Sequence, residues 1–170
     1  MLWWTWLACA NGPSTPGTGS LGSGTVAGTL DGHPFDHVEA AWLAGAPDDA
    51  STTVLFVLDA PVTCDELSEP GWDTRIEDGT FALEIKLIGQ DPGDYPVPAD
   101  GRPSGGESDD NLTLTSTTAA PSEVSATEGV VTLADLVPED SASGSFDLVF
   151  PTGTIAGSFE ASFCPGAHEP

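Results

Sequence analysis

Basic residues are nearly absent from this chain. Its 170 residues include 3 Lys and Arg against 27 Asp and Glu, for a formal net charge of −24. Such a field repels phosphate backbones and anionic lipid headgroups. The composition therefore argues against nucleic-acid binding, and it rules out membrane attachment through a polybasic patch.

Sequence signatures of catalysis are also missing. The chain contains neither a Gly-x-Ser-x-Gly elbow nor a Gly-x-x-x-x-Gly-Lys phosphate loop. Cys64 is followed by Asp65 and Glu66, whose charges disfavour a thiolate nucleophile. A glycosidase needs two carboxylates across a cleft, and no pair stands out among so many acids. We therefore expect a protein that is not an enzyme.

Cysteine is scarce, with 3 in the chain. Cys64 and Cys164 stand alone in the body of the sequence, and in an exported chain two such residues predict a disulfide. The bond would close a loop of about 100 residues, which is worth roughly 4–5 kcal/mol in the chain-entropy model. Two free, buried thiols are the alternative.

The body of the chain alternates between apolar and polar residues, as strands with one solvated face do. Residues 80–89 alternate most clearly, and residues 145–150 and 154–163 predict a hairpin with one aromatic face. Residues 53–58 are continuously apolar, which is typical of a central strand. Cys64–Leu67 is expected to form one helical turn. These patterns and the many turn signals predict an all-β fold.

We expect residues 25–165 to form one antiparallel β-sandwich of about eight strands, with a β-barrel as the alternative. Residues 166–170 are expected to form a tail. Residues 24–30 weakly repeat residues 153–159, which we attribute to two strands meeting the same local demands. The sandwich core is predicted to contain Phe56, Leu58, Phe81, Leu83, Ile85, Phe146, Phe159 and Phe163.

The acidic residues offer candidate ligands for calcium, which prefers hard oxygen donors. His33 and His37 would lie roughly 13 Å apart in an extended segment, too far to share an ion. We therefore expect no cofactor, with a structural calcium ion as the alternative. The candidate calcium ligands are Asp48 with Asp49, Asp91 with Asp94, and the run 107–111, none of which has EF-hand spacing.

One aromatic residue is a candidate for sugar binding. Trp72 lies in a loop with Pro70 and Gly71. Its ring is expected either to pack over the edge of the sandwich or to stack on a sugar.

The N-terminus resembles an export signal. Residues 1–8 are mostly apolar, and Leu7-Ala8-Cys9 resembles the end of a bacterial lipoprotein lipobox. In that family the signal is cut before the cysteine, whose thiol carries a diacylglyceryl group. The resemblance implies that residues 1–8 are a signal peptide and that Cys9 carries a lipid. Ordinary secretion is the alternative.

Residues 9–24 are predicted to be a lipid-anchored flexible linker, because after Ala10 they are almost entirely Gly, Ser, Thr and Pro. The whole layout resembles small uncharacterised bacterial lipoproteins with a β-sandwich body. That resemblance rests on the lipobox, the linker, the lone Cys64 after a strand and the ending 157–164. It implies an envelope protein held in the outer membrane by a lipid on Cys9, with a secreted or periplasmic protein as the alternative.

We expect the role to be structural or that of an interaction module. Calcium or carbohydrate binding is the alternative function. Whether a partner would be a protein or a glycan stays open.

Overall fold

The computed structural model describes residues 21–30, 32–44, 52–70, 81–97, 113–116 and 122–167. Within these ranges about 66% of the residues lie in strands and 4% in helix, so the predicted all-β fold is confirmed. The elements are β1 Ser23–Leu30, β2 His33–Pro34, β3 Ala40–Ala44, β4 Thr52–Leu58, α1 Cys64–Leu67, β5 Phe81–Ile88, β6 Gly93–Pro96, β7 Thr113–Ser116, β8 Ser122–Ser125, β9 Glu128–Val137, β10 Ser141–Phe150 and β11 Gly153–Cys164.

The strands join in one curled sheet that forms a half-barrel. Their order is β6-β9-β10-β11-β3-β4-β5-β7-β8, and β1 adds to β11 with β2 beside it. Every described pair is antiparallel except β11 with β3. This one parallel pair departs from the predicted antiparallel pattern. It arises because β11 is 12 residues long and its last three residues extend past β1 to meet β3.

The main hydrophobic core lies where the two halves of the curled sheet face each other. The strands β1, β9, β10 and β11 contribute one side of it, and β3, β4 and β5 contribute the other. Phe35 stacks on Phe81 across the core, with ring centroids 5.3 Å apart. The apolar residues of the alternating patterns in β5 and in the β10–β11 hairpin face this core, as the sequence predicted. The phenylalanines buried in this core are Phe35, Phe81, Phe146, Phe150 and Phe159.

A second hydrophobic core covers the outer face of β3 and β4, and the sequence did not predict it. All seven residues of β4 are buried, because both of its faces are covered. Phe56 and Leu58 belong to this outer cluster with Trp42, so their assignment to the shared core was wrong. Ala82 lies on the face of β5 opposite to Phe81 and Leu83, and it is also buried there. The cover consists of α1 and the end of β11.

The two similar segments of the sequence are neighbours in the sheet. Residues 24–30 of β1 pair antiparallel with residues 159–153 of β11, with Gly24 opposite Phe159 and Leu30 opposite Gly153. Gly28 has φ of +159° and lies against Ile155. The glycines shared by the two segments therefore allow β1 and β11 to approach each other closely, which agrees with the local explanation of the repeat.

Two glycines of the β10–β11 hairpin lie under phenylalanine rings. Gly144 is opposite Phe159, and Phe146 is opposite Gly157. A Cβ atom on Gly157 would stand 2.8 Å from the Phe146 ring, and one on Gly144 would stand 2.7 Å from the Phe159 ring. Each ring thus covers the bare backbone of the facing strand, which pins the register of the hairpin.

Candidate functional site

Helix α1 begins with a capping box. The hydroxyl of Thr63 accepts a hydrogen bond from the Glu66 backbone N–H at 3.3 Å, and the Glu66 carboxylate accepts one from the Thr63 N–H at 2.7 Å. The Glu66 carboxylate also accepts from the Thr63 hydroxyl at 2.8 Å, and the two bonds that it accepts from Thr63 hold the pKa of Glu66 below its ordinary value. Helix α1 confirms the helical turn predicted at Cys64–Leu67. The sequence also carries a signal for its cap, because the spacing Thr-x-x-Glu marks the start of a helix.

A disulfide between Cys64 and Cys164 fastens α1 to the end of β11. The predicted bond is present, with Cα atoms 5.5 Å apart and a sequence separation of 100. Cys164 is fully buried in the second core, while Cys64 packs against it half-buried. Leu67 is fully buried, and the Trp42 Nε1–H donates to the Val62 carbonyl at 2.8 Å. The alternative of two free thiols is therefore wrong.

A polar cleft lies on the outer face of the other half of the sheet. The register aligns Ser23 of β1 with Glu160 of β11, Glu160 with Ser143 of β10, and Ser143 with Asp135 of β9. With Ser141 and Ser162 these residues line an open cleft of about 350 Å³. The sequence contained no signal for this site, because the site exists only through the strand register.

The cleft offers hydroxyl groups and carboxylates but no aromatic side chain among its described lining residues. The Ser23 hydroxyl donates to Glu160 at 3.3 Å. Asp135 and Glu160 are both exposed, with one strand between them. The cleft therefore offers donors and acceptors for hydrogen bonds to a polar ligand.

A second polar group lies where β4 ends. Asp59 accepts a hydrogen bond from the Phe81 N–H at 2.8 Å, and burial raises the pKa of Asp59. His37 Nδ1 and Asp36 Oδ1 lie 2.9 Å apart at the surface. This hydrogen bond, helped by the charge of Asp59, raises the pKa of His37. The exposed His37 is thus paired with the carboxylate of Asp36, the residue before it in sequence.

The described residues do not assemble a metal site. No group of three His, Cys, Asp or Glu within the described ranges is arranged to hold an ion. Of the calcium candidates described, Asp94 accepts a hydrogen bond from Thr132 at 2.7 Å, and the Asp91 carbonyl accepts one from Tyr95 at 2.6 Å. These contacts tie β6 to β9 and fix the turn before it.

Several predicted site residues lie outside the described ranges. They are Cys9, Trp72, Asp48, Asp49 and the run 107–111. The lipid anchor, the sugar-stacking ring and two of the calcium candidates therefore stay predictions.

The described part of the chain contains no helix with the length and hydropathy to cross a bilayer. No protein-family model, curated protein or solved structure matches the chain.

Proposed function

We propose that this chain is a lipid-anchored module of the bacterial cell envelope that acts through contact and not through catalysis. The observation that carries the proposal is the disulfide between Cys64 and Cys164. Such bonds persist in oxidising compartments and are rare in the cytosol. They suit a protein that is exported before it folds.

The sequence supports attachment by a lipid. Leu7-Ala8-Cys9 resembles a lipobox, and the Gly- and Ser-rich residues up to 24 would let the β domain reach away from a bilayer. The high negative charge repels anionic headgroups, so the domain itself would stay off the membrane surface. Attachment then depends on the acyl chains carried by Cys9.

Metabolic labelling with an acyl probe tests this proposal. Cells producing the full chain are compared with cells producing Cys9→Ala and with cells producing Cys64→Ser/Cys164→Ser. We expect label and membrane fractionation in the parent chain and in the double variant, and neither in Cys9→Ala. Label that persists in Cys9→Ala, or that is absent from the parent, contradicts the proposal.

The alternative function is carbohydrate binding, and the cleft between Ser23 and Asp135 favours it. Serine hydroxyls and carboxylates can form hydrogen bonds with sugar hydroxyls. The strand register aligns both kinds of group across β9, β10 and β11 in the cleft. Calorimetry with a panel of envelope glycans, for the parent chain and for Glu160→Gln, tests it. Heat that is lost in Glu160→Gln supports a sugar site. Silence across the panel, or heat that the substitution leaves unchanged, removes this alternative.

A further inference from the structure

The two ends of the disulfide are anchored very differently. Cys164 is the last residue of β11, which pairs with β10 along most of its length and places Cys164 beside Ala44 of β3. Cys64 opens a helix of 4 residues in the connection between β4 and β5. A single helical turn has no stability of its own. The Cys164 sulfur is therefore fixed in the sheet, whereas the Cys64 sulfur lies on α1, which stays in place only through contacts with the rest of the fold.

Besides the bond, packing holds α1 against the sheet: Val62 and Leu67 lie in or against the second core, and Ser68 lies against Gly166 after β11. Leu67 inserts fully into the second core, and the Val62 carbonyl accepts the Trp42 indole N–H. At the start of the connection, Asp59 and Phe81 exchange two hydrogen bonds, one through the Asp59 carboxylate and one through its N–H. This last contact fixes the base of the connection but leaves residues 62–68 dependent on the second core.

The main core and this cover lie on opposite faces of β3 and β4. The members of the main core form a cluster separate from the one that contains Trp42, Phe56, Leu67 and Cys164. The β10–β11 hairpin, with its paired glycines and rings, contributes to the main core. Loss of the bond in the folded chain therefore acts on the outer face of β3 and β4 first.

We propose that the bond between Cys64 and Cys164 is a redox-operated clasp. Its reduction frees residues 62–68 to open and uncovers Trp42 and Phe56, while the main core stays folded. Opening exposes the apolar outer face of β3 and β4, which is covered when the bond is intact, and this changes what the module can contact. Both proposals rest on the bond between Cys64 and Cys164. The clasp does not require the lipid on Cys9, so acyl labelling can fail while the clasp stands, and hydrogen exchange can fail while the lipid anchor stands.

The reducing agent is an external dithiol. One of its thiolates attacks the sulfur of Cys64, the less buried of the two cysteines, and the bond to Cys164 breaks. The second thiol of the reagent then displaces the Cys64 sulfur. Two electrons and two protons pass to the protein, giving two cysteine thiols, and the reagent leaves as a cyclic disulfide.

Hydrogen exchange read by mass spectrometry tests the clasp. The full chain carrying Cys9→Ser, which removes the third thiol, is compared before and after treatment with dithiothreitol. We expect amides of residues 62–68 to exchange at least tenfold faster after reduction, with β10 and β11 unchanged. The variant Cys9→Ser/Cys64→Ser/Cys164→Ser, without reductant, should show the same local increase, and the reagent should add nothing to it.

Two results overturn the proposal. Unchanged exchange in residues 62–68 after complete reduction would show that the second core holds α1 without the bond. Simultaneous loss of protection in β10 and β11 would show that reduction unfolds the whole domain. If the triple variant does not fold, hydrogen exchange of the reduced chain alone still distinguishes these two results from local opening.

Discussion

Substitution of Trp42 measures how much the second core contributes to stability. The side chain is 1% exposed on the outer face of β3, and its indole N–H donates to the Val62 carbonyl. Trp42→Phe keeps an aromatic ring there. It removes the donor and leaves space where the larger indole stood.

The expected cost follows from those two losses. Replacing indole by phenyl removes two carbon atoms and the ring nitrogen, and each buried carbon is worth about 0.8 kcal/mol. Loss of a hydrogen bond with a half-buried acceptor adds about 1 kcal/mol. We therefore expect Trp42→Phe to lower the free energy of unfolding by about 2–3 kcal/mol. Trp42→Ala empties the site and should cost about 3–5 kcal/mol.

Urea unfolding followed by far-ultraviolet circular dichroism gives these values for the oxidised chain carrying Cys9→Ser. The matched control is Ile88→Ala on β5, where the side chain is 45% exposed and the change should stay within about 0.5 kcal/mol. The slope with urea should be unchanged, so that the shift in midpoint reports stability. If Trp42→Phe costs no more than Ile88→Ala, the second core does not stabilise the fold.

Three other outcomes follow from the structure. Gly157→Ala should cost about 1–3 kcal/mol in urea unfolding, because its Cβ would press on the Phe146 ring and on the Thr25 carbonyl oxygen; a neutral substitution would contradict the packing described. Bonds from Thr63 lower the pKa of the exposed Glu66, so its small contribution is present above the ordinary glutamate pKa and is lost as pH falls through the folded value. Glu66→Gln should accordingly destabilise the chain near neutral pH and converge with the parent near pH 3; a gap that does not depend on pH would refute this. Burial raises the pKa of Asp59, so its contribution is present at low pH and is lost as pH rises through the folded value. Stability of Asp59→Asn relative to the parent should therefore rise between about pH 3 and pH 7, and a flat difference would count against a half-buried carboxylate.

Local patterns predicted the parts of the fold that depend on neighbours in sequence. The alternation in residues 145–150 and 154–163 gave the β10–β11 hairpin, and the turn at Cys64–Leu67 appears as α1. The disulfide was predicted from cysteine number and context. These features need only the period of the side chains or a count of sulfurs.

The second core and the cleft depend on contacts between distant segments. Residues 54–58 are apolar at every position, so the pattern gave no reason to assign Phe56 and Val57 to different cores. The cleft requires Ser23, Ser143 and Glu160 to share a register row, although more than 100 residues separate the first from the other two. Alternation assigns a residue to a face, but only the pairing of strands says which residues share that face.

Peptide mapping of the protein recovered from the envelope fraction of producing cells tests the central claim most directly. Free thiols are alkylated during lysis, and the chain is digested without reductant by a protease that cuts at acidic residues, since Lys and Arg number only 3. The account predicts peptides containing Cys64 and Cys164 joined to each other and free of alkylation. Recovery of both cysteines alkylated and unlinked would contradict it.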